Sequence, residues 1–300
     1  MSRRHLLMLA ALAALWGSSF MFIEIALRDL APSTLILLRM GFGALTLAIY
    51  VALTGKPLGA LRPYALPLAL LGAVNTAVPF FLIAWGQQYI DSGLASIFNA
   101  SAPLFTALFA LGYDRSQRAT GARLAGILIG FAGVVLLVGF ELSGGERAVL
   151  GGLAVVAASA CYGIGGLYAG RRFNGLPPSL VAFGGLAWST LFVAPVGVAQ
   201  ASAPGWGAVL AVLYLGVAAT GVAYLLYFGL IVGAGASKAV LVTYLVPALA
   251  LIYGAVFLDE EVTAVALGGL ALVLAGVALG TGAIGRSRRT RRASAASLTP

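Results

Sequence analysis

Residues 95–113, ASIFNASAPLFTALFALGY, return 144 positions later as residues 239–257, AVLVTYLVPALALIYGAVF. The register places Pro103 on Pro247, Asn99 on Thr243 and Phe109 on Tyr253. Self-similarity at so long a period decides how the chain is divided, so it is read before any local pattern. About 20 residues downstream, LAGILIGFAGVVLLV lines up with LGGLALVLAGVALGT, setting Gly126 on Gly269 and Gly133 on Gly276 at an offset of 143. Upstream, GAVNTAVPF from residue 72 matches GVAATGVAY from 216, and LWGSSF from 15 matches CYGIGG from 161 more weakly.

The repeated units are apolar. Of 300 residues 61% are hydrophobic and 9% charged, with a mean hydropathy of +1.02, which is the composition of a membrane protein. The 40 glycines suit close helix contact in lipid. Apolar runs of about 20 residues, long enough to cross a ~30 Å hydrocarbon core as helix, fall at 6–27, 33–53, 64–88, 92–112, 119–139, 149–170, 179–200, 207–231, 236–257 and 262–284. The connections are short, and stretches such as LTGKPLGALRP and GFELSGGERA hold the Gly, Pro and charge of turns. The expected fold is therefore an all-α integral membrane protein of ten transmembrane helices.

Helices one to five recur as six to ten. Five is odd, so the second copy enters the membrane from the opposite side, and the two five-helix repeats are inverted. The expected division is 1–147 for the first repeat, 148–285 for the second and 286–300 for a basic cytoplasmic tail. Inverted repeats are an architecture of secondary transporters, with a site near the midplane at the repeat interface. With the N-terminus cytoplasmic, 15 of the 18 basic residues fall on the inner side, as the positive-inside rule requires. The expected location is a bacterial-type inner (plasma) membrane, with both termini cytoplasmic.

Competing readings are weaker. MSRRHLLMLAALAAL has the basic start and apolar middle of a signal peptide, but the run continues past Trp16 without a small-residue cleavage site. The +9 net charge and RSRRTRR at 286–292 resemble a nucleic-acid patch; directly after a last helix they read better as a topology signal beside anionic lipid. No nucleic-acid partner is expected. With one histidine, His5, and one cysteine, Cys161, the chain offers no cluster for a metal or for nucleophilic catalysis. An enzyme is not expected, nor a cofactor. The expected partners are a small-molecule substrate and the lipid bilayer, and the expected unit is a monomer.

Polar stripes on apolar helices should face protein or water, and they nominate the cavity lining. Trp16 and Phe20 share a face in the first helix, Asn75 lies in the third and Asn99 in the fourth. Tyr162 stands beside GIGG in the sixth, Thr220 and Tyr224 on one face of the eighth, and Thr243 and Tyr244 in the ninth. The competing reading is packing, since Ser and Thr often bond their own helix and Tyr or Trp often anchors at an interface. Pro79, Pro103 and Pro247 each remove a backbone donor within an apolar helix. Each is a hinge with a freed carbonyl near the midplane, or simply a packing kink.

Two full charges remain. Glu24 and Arg39 sit near the outer ends of helices one and two, joined by a short loop. An ion pair bracing an outer gate would neutralise both; snorkelling of each to water and headgroups is the alternative. In a third reading Glu24 is a coupling carboxylate, like the helix-one Glu of small multidrug transporters, which makes the protein a proton-coupled multidrug or cation antiporter.

The second half, from GVAYLLYFGL through LVPALALIYGAVFLDEEVTAVALGGL to LAGVAL, resembles the C-terminal repeat of EamA-type transporters in the drug/metabolite transporter (DMT) superfamily. The shared elements are the aromatic GVAYLLYFGL, a proline followed 13 residues on by Glu260, Gly269 nine residues later and the closing AGV. WGSSF and LLRMGF, the latter carrying Arg39, look like the matching elements of the first repeat. The resemblance covers nearly the whole chain and implies ten helices, alternating access and export of amino acids or related metabolites. Within the superfamily the pattern is similar to exporters of the YddG type, which implies aromatic or other neutral amino acids. One departure stands out: the first repeat has Asp114–Gln117 where many relatives place a Glu like Glu260.

Overall fold

The structure is a computed structural model that describes residues 1–113, 121–141 and 145–280. The expected tail at 286–300 and the Asp114–Gln117 stretch lie outside the described residues. Among the described residues every regular element is helical. Helices α1 (Arg3–Leu27) and α2 (Pro32–Leu53) are unbroken. The next stretch joins a 3-10 turn (Leu58–Tyr64), α3 (Ala65–Gly72), a π-helical segment (Ala73–Ala77) and α4 (Val78–Gly86). α5 (Ser92–Asn99) and α6 (Ala102–Tyr113) are separated at Ala100 and Ser101, and α7 (Ala122–Glu141) follows. In the second half α8 (Glu146–Arg172) and α9 (Pro178–Ala199) are continuous. α10 (Trp206–Leu213) runs through a π-helical segment (Tyr214–Val222) into α11 (Ala223–Ala234). α12 (Ala236–Ala239), α13 (Val242–Phe257) and α14 (Ala264–Gly280) complete the described chain.

Seven of these stretches are long and apolar enough to cross a membrane, and three shorter apolar helices, Leu124–Gly139, Val242–Phe257 and Ala264–Leu279, accompany them. Large apolar side chains cover the outside: Leu53, Leu66, Trp206 and Val232 are each 80–82% exposed. Such a surface suits acyl chains and not water. The protein is a multi-pass membrane protein.

Helices associate in lipid through close packing, because tails are as apolar as leucine. The contacts that achieve this run between the two halves. α7 packs most extensively on α14, α2 on α9, and α1 on α13. They also recur in step with the sequence repeat. A Cβ added at Gly17 of α1 would lie 2.8 Å from Leu249 Cβ of α13, and one at Gly163 of α8 would lie 3.0 Å from Phe105 Cβ of α6. Gly163 follows Gly17 by 146 residues, and Leu249 follows Phe105 by 144. Likewise Gly43 of α2 abuts Thr220, while Ser189 of α9, 146 residues on from Gly43, hydrogen-bonds with Thr76, the repeat mate of Thr220. Gly133 of α7 and Gly276 of α14 bring those two backbones together from opposite sides.

The two π segments are also repeat mates, with Thr76 and Thr220 in matching places 144 residues apart. Pro79 follows the first by two residues and cannot donate to the carbonyl of Asn75 one turn back. Such π-bulges concentrate at functional sites.

Glycine at these crossings should be irreplaceable in matched pairs. Gly17→Val and Gly163→Val are each expected to destabilise by about 1–3 kcal/mol, the range for overpacking, read as a lower melting temperature in detergent. Gly166→Ala is the control, because nothing lies within 4 Å of its missing Cβ. It should melt at or above the wild-type temperature.

Candidate functional site

Arg39 is the decisive residue of the interior. It projects from α2 into the core, is only 6% exposed, and donates from Nε to Thr220 Oγ1 at 3.1 Å. Its guanidinium lies over the Phe80 ring, 4.3 Å from the centroid. Thr220 is the midpoint of the 29-residue stretch Trp206–Ala234, so the cation reaches the middle of the bundle. The titratable groups that act on it are the hydroxyls of Tyr162 and Tyr224. Tyr162 meets Phe80 edge-on with centroids 6.3 Å apart, and Tyr224 stacks on Phe228 at 5.8 Å. Both tyrosines are partly buried.

The other expected residues lie on several helices. Trp16 of α1 packs against Tyr227, with centroids 5.4 Å apart. Phe20 is buried at 5% exposure, and its carbonyl accepts a bond from Gln87 Nε2 at 2.9 Å. Asn75, in the first π segment, fills the gap opposite Gly165 of α8. Asn99 Oδ1 and the Tyr244 hydroxyl are buried with no hydrogen-bond partner. Thr243 bonds back to the Val240 carbonyl, so its hydroxyl is occupied within its own helix. Pro103 follows the α5–α6 break, while Pro247 lies inside α13.

Sequence reasoning missed Ser159. Pro103 leaves the Asn99 carbonyl without its helical donor, and the single hydrogen of the fully buried Ser159 hydroxyl of α8 is shared among the carbonyls of Asn99 (3.3 Å), Phe98 (3.2 Å) and Val155 of its own helix (3.2 Å). A serine in an Ala-rich run carries no signal of its own. The signal lies in the proline it serves, 56 residues earlier.

The expected Glu24–Arg39 ion pair is not formed. Among the described residues no carboxylate pairs with Arg39, and Glu24 Oε2 is buried without a partner. The reason is helix placement: α1 and α2 are joined in sequence but scarcely touch, whereas α2 packs on α9 and on the second π segment. Arg39 therefore points toward Thr220. Glu24 stays at the end of α1, in the field of Arg28, Asp91 and Glu260.

That end carries a separate contact. Glu260, in the α13–α14 connection, accepts bonds from the backbone N–H groups of Ser92 (2.8 Å) and Gly93 (2.9 Å) at the start of α5. These orphan donors at a helix N-terminus favour a carboxylate twice, by hydrogen bonding and by the helix dipole. The Asp91 carboxyl beside them has a raised pKa, first through partial burial and then through Glu260 and Glu261. At the same end Asp29 accepts from the Gly205 N–H at 2.9 Å, and Ser33 donates to Gln200. At the other end Lys56 donates to Ser179 at 2.7 Å.

A family model for the EamA-like transporter family matches residues 3–139 and again residues 149–281. The chain belongs to this family. The groups around Arg39 are divided between the two EamA matches: Arg39 and Phe80 lie in the first, Tyr162, Thr220 and Tyr224 in the second. Among similar curated proteins is one from Streptantibioticus cattleyicolor named "Probable terminal-alkyne amino-acid exporter", 30% identical over 88% of this chain and 89% of its own. Another, from Escherichia coli K12 and named "Probable amino-acid metabolite efflux pump", is 26% identical over 92% of this chain and 94% of its own. A solved crystal structure 24% identical in sequence superposes with a TM-score of 0.68 over 93% of this chain and 98% of that one, which shows the fold. The protein is thus an EamA-type transporter of small molecules and not an enzyme.

Two measurements probe this arrangement. Glu260→Gln keeps the shape but loses the charge and should cost about 1 kcal/mol, while Glu260→Ala strands two N–H groups and should cost about 1.5–3 kcal/mol. Both are read by melting temperature, and a cysteine at Ser92 in a Cys161→Ala background should react faster with a water-soluble maleimide once Glu260 is gone. In a cycle of Glu24→Ala and Arg39→Ala, the effects should add to within about 0.5 kcal/mol, as for residues that share no partner.

Proposed function

We propose that this EamA-type transporter is a ten-span secondary transporter that exports amino acids or related small metabolites, aromatic or other neutral ones, by alternating access. The observation that carries the reading is the interior where the two family matches meet. Around Arg39 it holds aromatic rings and the neutral Thr220, and elsewhere among the helices Asn99 Oδ1 and the Tyr244 hydroxyl are, like Gln87 Oε1, Ser92 Oγ and Glu24 Oε2, buried without a partner. Buried polar groups without partners await a ligand or ordered water. The names of the relatives supply the solute class, and the lining suits it, since rings take an apolar side chain while amide and hydroxyl groups take polar ends.

The seven long and three shorter apolar helices support ten spans, and the matched contacts at offsets of 144–146 support two repeats of the same unit. An odd number of spans per repeat inverts the second copy, so a site between them can open to either side in turn. The π segments and the breaks at Pro79 and Pro103 are the places where such a bundle bends most readily, because the helical ladder is already interrupted there. Both termini are cytoplasmic in this arrangement, and the unit is a monomer.

One observation favours a second reading, a proton-coupled multidrug or cation antiporter. Glu24 Oε2 is buried and unpartnered, the state expected of a carboxyl that exchanges a proton. Its position at the end of α1, among other acids and away from Arg39, weighs against a central role.

Reporter tags after residues 145 and 300 should read opposite sides of the membrane; the same side for both would remove the inverted repeat. In proteoliposomes the protein should exchange labelled neutral amino acids, and Asn99→Trp should abolish exchange without loss of inserted protein. A pH gradient separates the two functions. Flux of organic cations that requires the gradient and disappears in Glu24→Gln, with no amino acid exchange, would select the antiporter.

A further inference from the structure

Arg39 has five N–H donors, and the structure gives it one hydrogen-bonding partner, Thr220, through Nε. Among the described residues its two terminal nitrogens have no hydrogen-bonding partner. The usual solutions for an arginine inside a membrane are therefore not in use. It is not snorkelling, being 6% exposed with its head beside the midpoint of a 29-residue span. No carbonyl caps its terminal nitrogens, and no carboxylate of the described residues pairs with it. The groups that face it are Phe80 from α4, Tyr162 from α8, Thr220 from the second π segment and Tyr224 from α11, none of them an acid.

We propose that Arg39 is the carboxylate-binding residue of the central site, so that the transported solutes carry a carboxylate that completes the unpartnered edge of its guanidinium. The proposal rests on the exporter reading and specifies what its site takes. Geometry narrows the approach. The Phe80 ring covers one face of the guanidinium and Thr220 holds Nε, which leaves the in-plane edge formed by the terminal nitrogens. That edge matches a carboxylate through two parallel N–H···O bonds, a fit an ammonium lacks. Tyr162 and Tyr224 act on the same cation, and neither is an acid that would compete with the anion. A solute held this way is gripped by both halves at once, because Phe80 and Arg39 belong to the first family match and the other three residues to the second.

The location also explains why the cation is kept. A buried charge without a counterion is strongly disfavoured, and an anionic solute relieves the penalty only while bound. Binding then stabilises the closed arrangement around Arg39 more than the solute's apolar contacts alone would.

The test uses the full-length protein in detergent, with binding read by thermal shift and by competition. The probes are the common amino acids, the carboxamide of each one that binds, and simple carboxylates such as propionate and benzoate. On the wild type each carboxamide should bind at least tenfold more weakly than its acid, the lower end for losing charge-assisted hydrogen bonds. Arg39→Gln should weaken the acid at least tenfold and bring acid and amide level. Arg39→Lys, which keeps the charge without the fork, should fall between. If Arg39→Gln does not fold, the acid-to-amide ratio and the lysine variant decide. Equal binding of acid and amide, or wild-type affinity in folded Arg39→Gln, overturns the proposal and leaves the exporter reading standing. Arg39-dependent binding of simple carboxylates with no amino acid bound supports the site and removes the amino acid reading. Binding of no carboxylate overturns the proposal.

Discussion

Everything in this bundle depends on how closely helices from the two halves approach each other. In lipid the hydrophobic effect does not push helices together, so contact must come from dispersion between surfaces that fit and from hydrogen bonds that water cannot replace. The glycines supply the first. Where Gly17 meets Leu249, Gly163 meets Phe105 and Gly133 meets Leu272, a single added carbon would come within about 3.0 Å of an existing atom. Buried hydroxyls supply the second, with Ser189 bonding Thr76 and the Gly72 carbonyl across α9 and α3. Since these contacts join one half to the other, each half lacks a complete surface of its own, and the interior arises where the two surfaces part.

The same economy of polar groups explains the interruptions. A helix may be broken inside a membrane only if the freed groups find new partners. The break at Pro103 meets this condition through Ser159, and Thr76 in the first π segment bonds both Gly72 and Ser189. Five buried atoms stay without a partner among the described residues, Asn99 Oδ1, the Tyr244 hydroxyl, Gln87 Oε1, Ser92 Oγ and Glu24 Oε2, and the terminal nitrogens of Arg39 have no hydrogen-bonding partner there either. Asn99 and Tyr244 lie on α5 and α13, two helices that the repeat matches.

Much of this was legible in the sequence. The membrane class followed from composition, the repeat from the match of 95–113 to 239–257, and the aromatic and polar stripes from helical spacing. These signals are local or periodic. Helix adjacency is neither, and Glu24 and Arg39 stay apart because neighbours in sequence are not neighbours in space here: α2 packs on α9 and the second π segment, not on α1. The role of Glu260 was hidden for a similar reason. Its motif marks the family, but its partners, the amides of Ser92 and Gly93, lie 168 and 167 residues away and are backbone groups with no letter to read.

The contacts of Glu260 and of Arg39 differ in how water can reach them. Glu260 is partly buried and keeps some contact with water, while Ser92 and Gly93, whose N–H groups it accepts, are buried. Breaking that contact costs the net value of hydrogen bonds to a charged group, about 1.5–3 kcal/mol. Arg39 has less contact with water, at 6% exposure. Moving it away from Thr220 and Phe80 without a replacement anion would leave a cation in hydrocarbon with fewer contacts still, at an effective penalty of several kcal/mol. The Glu260 contact is therefore less costly to break than the contacts that hold Arg39.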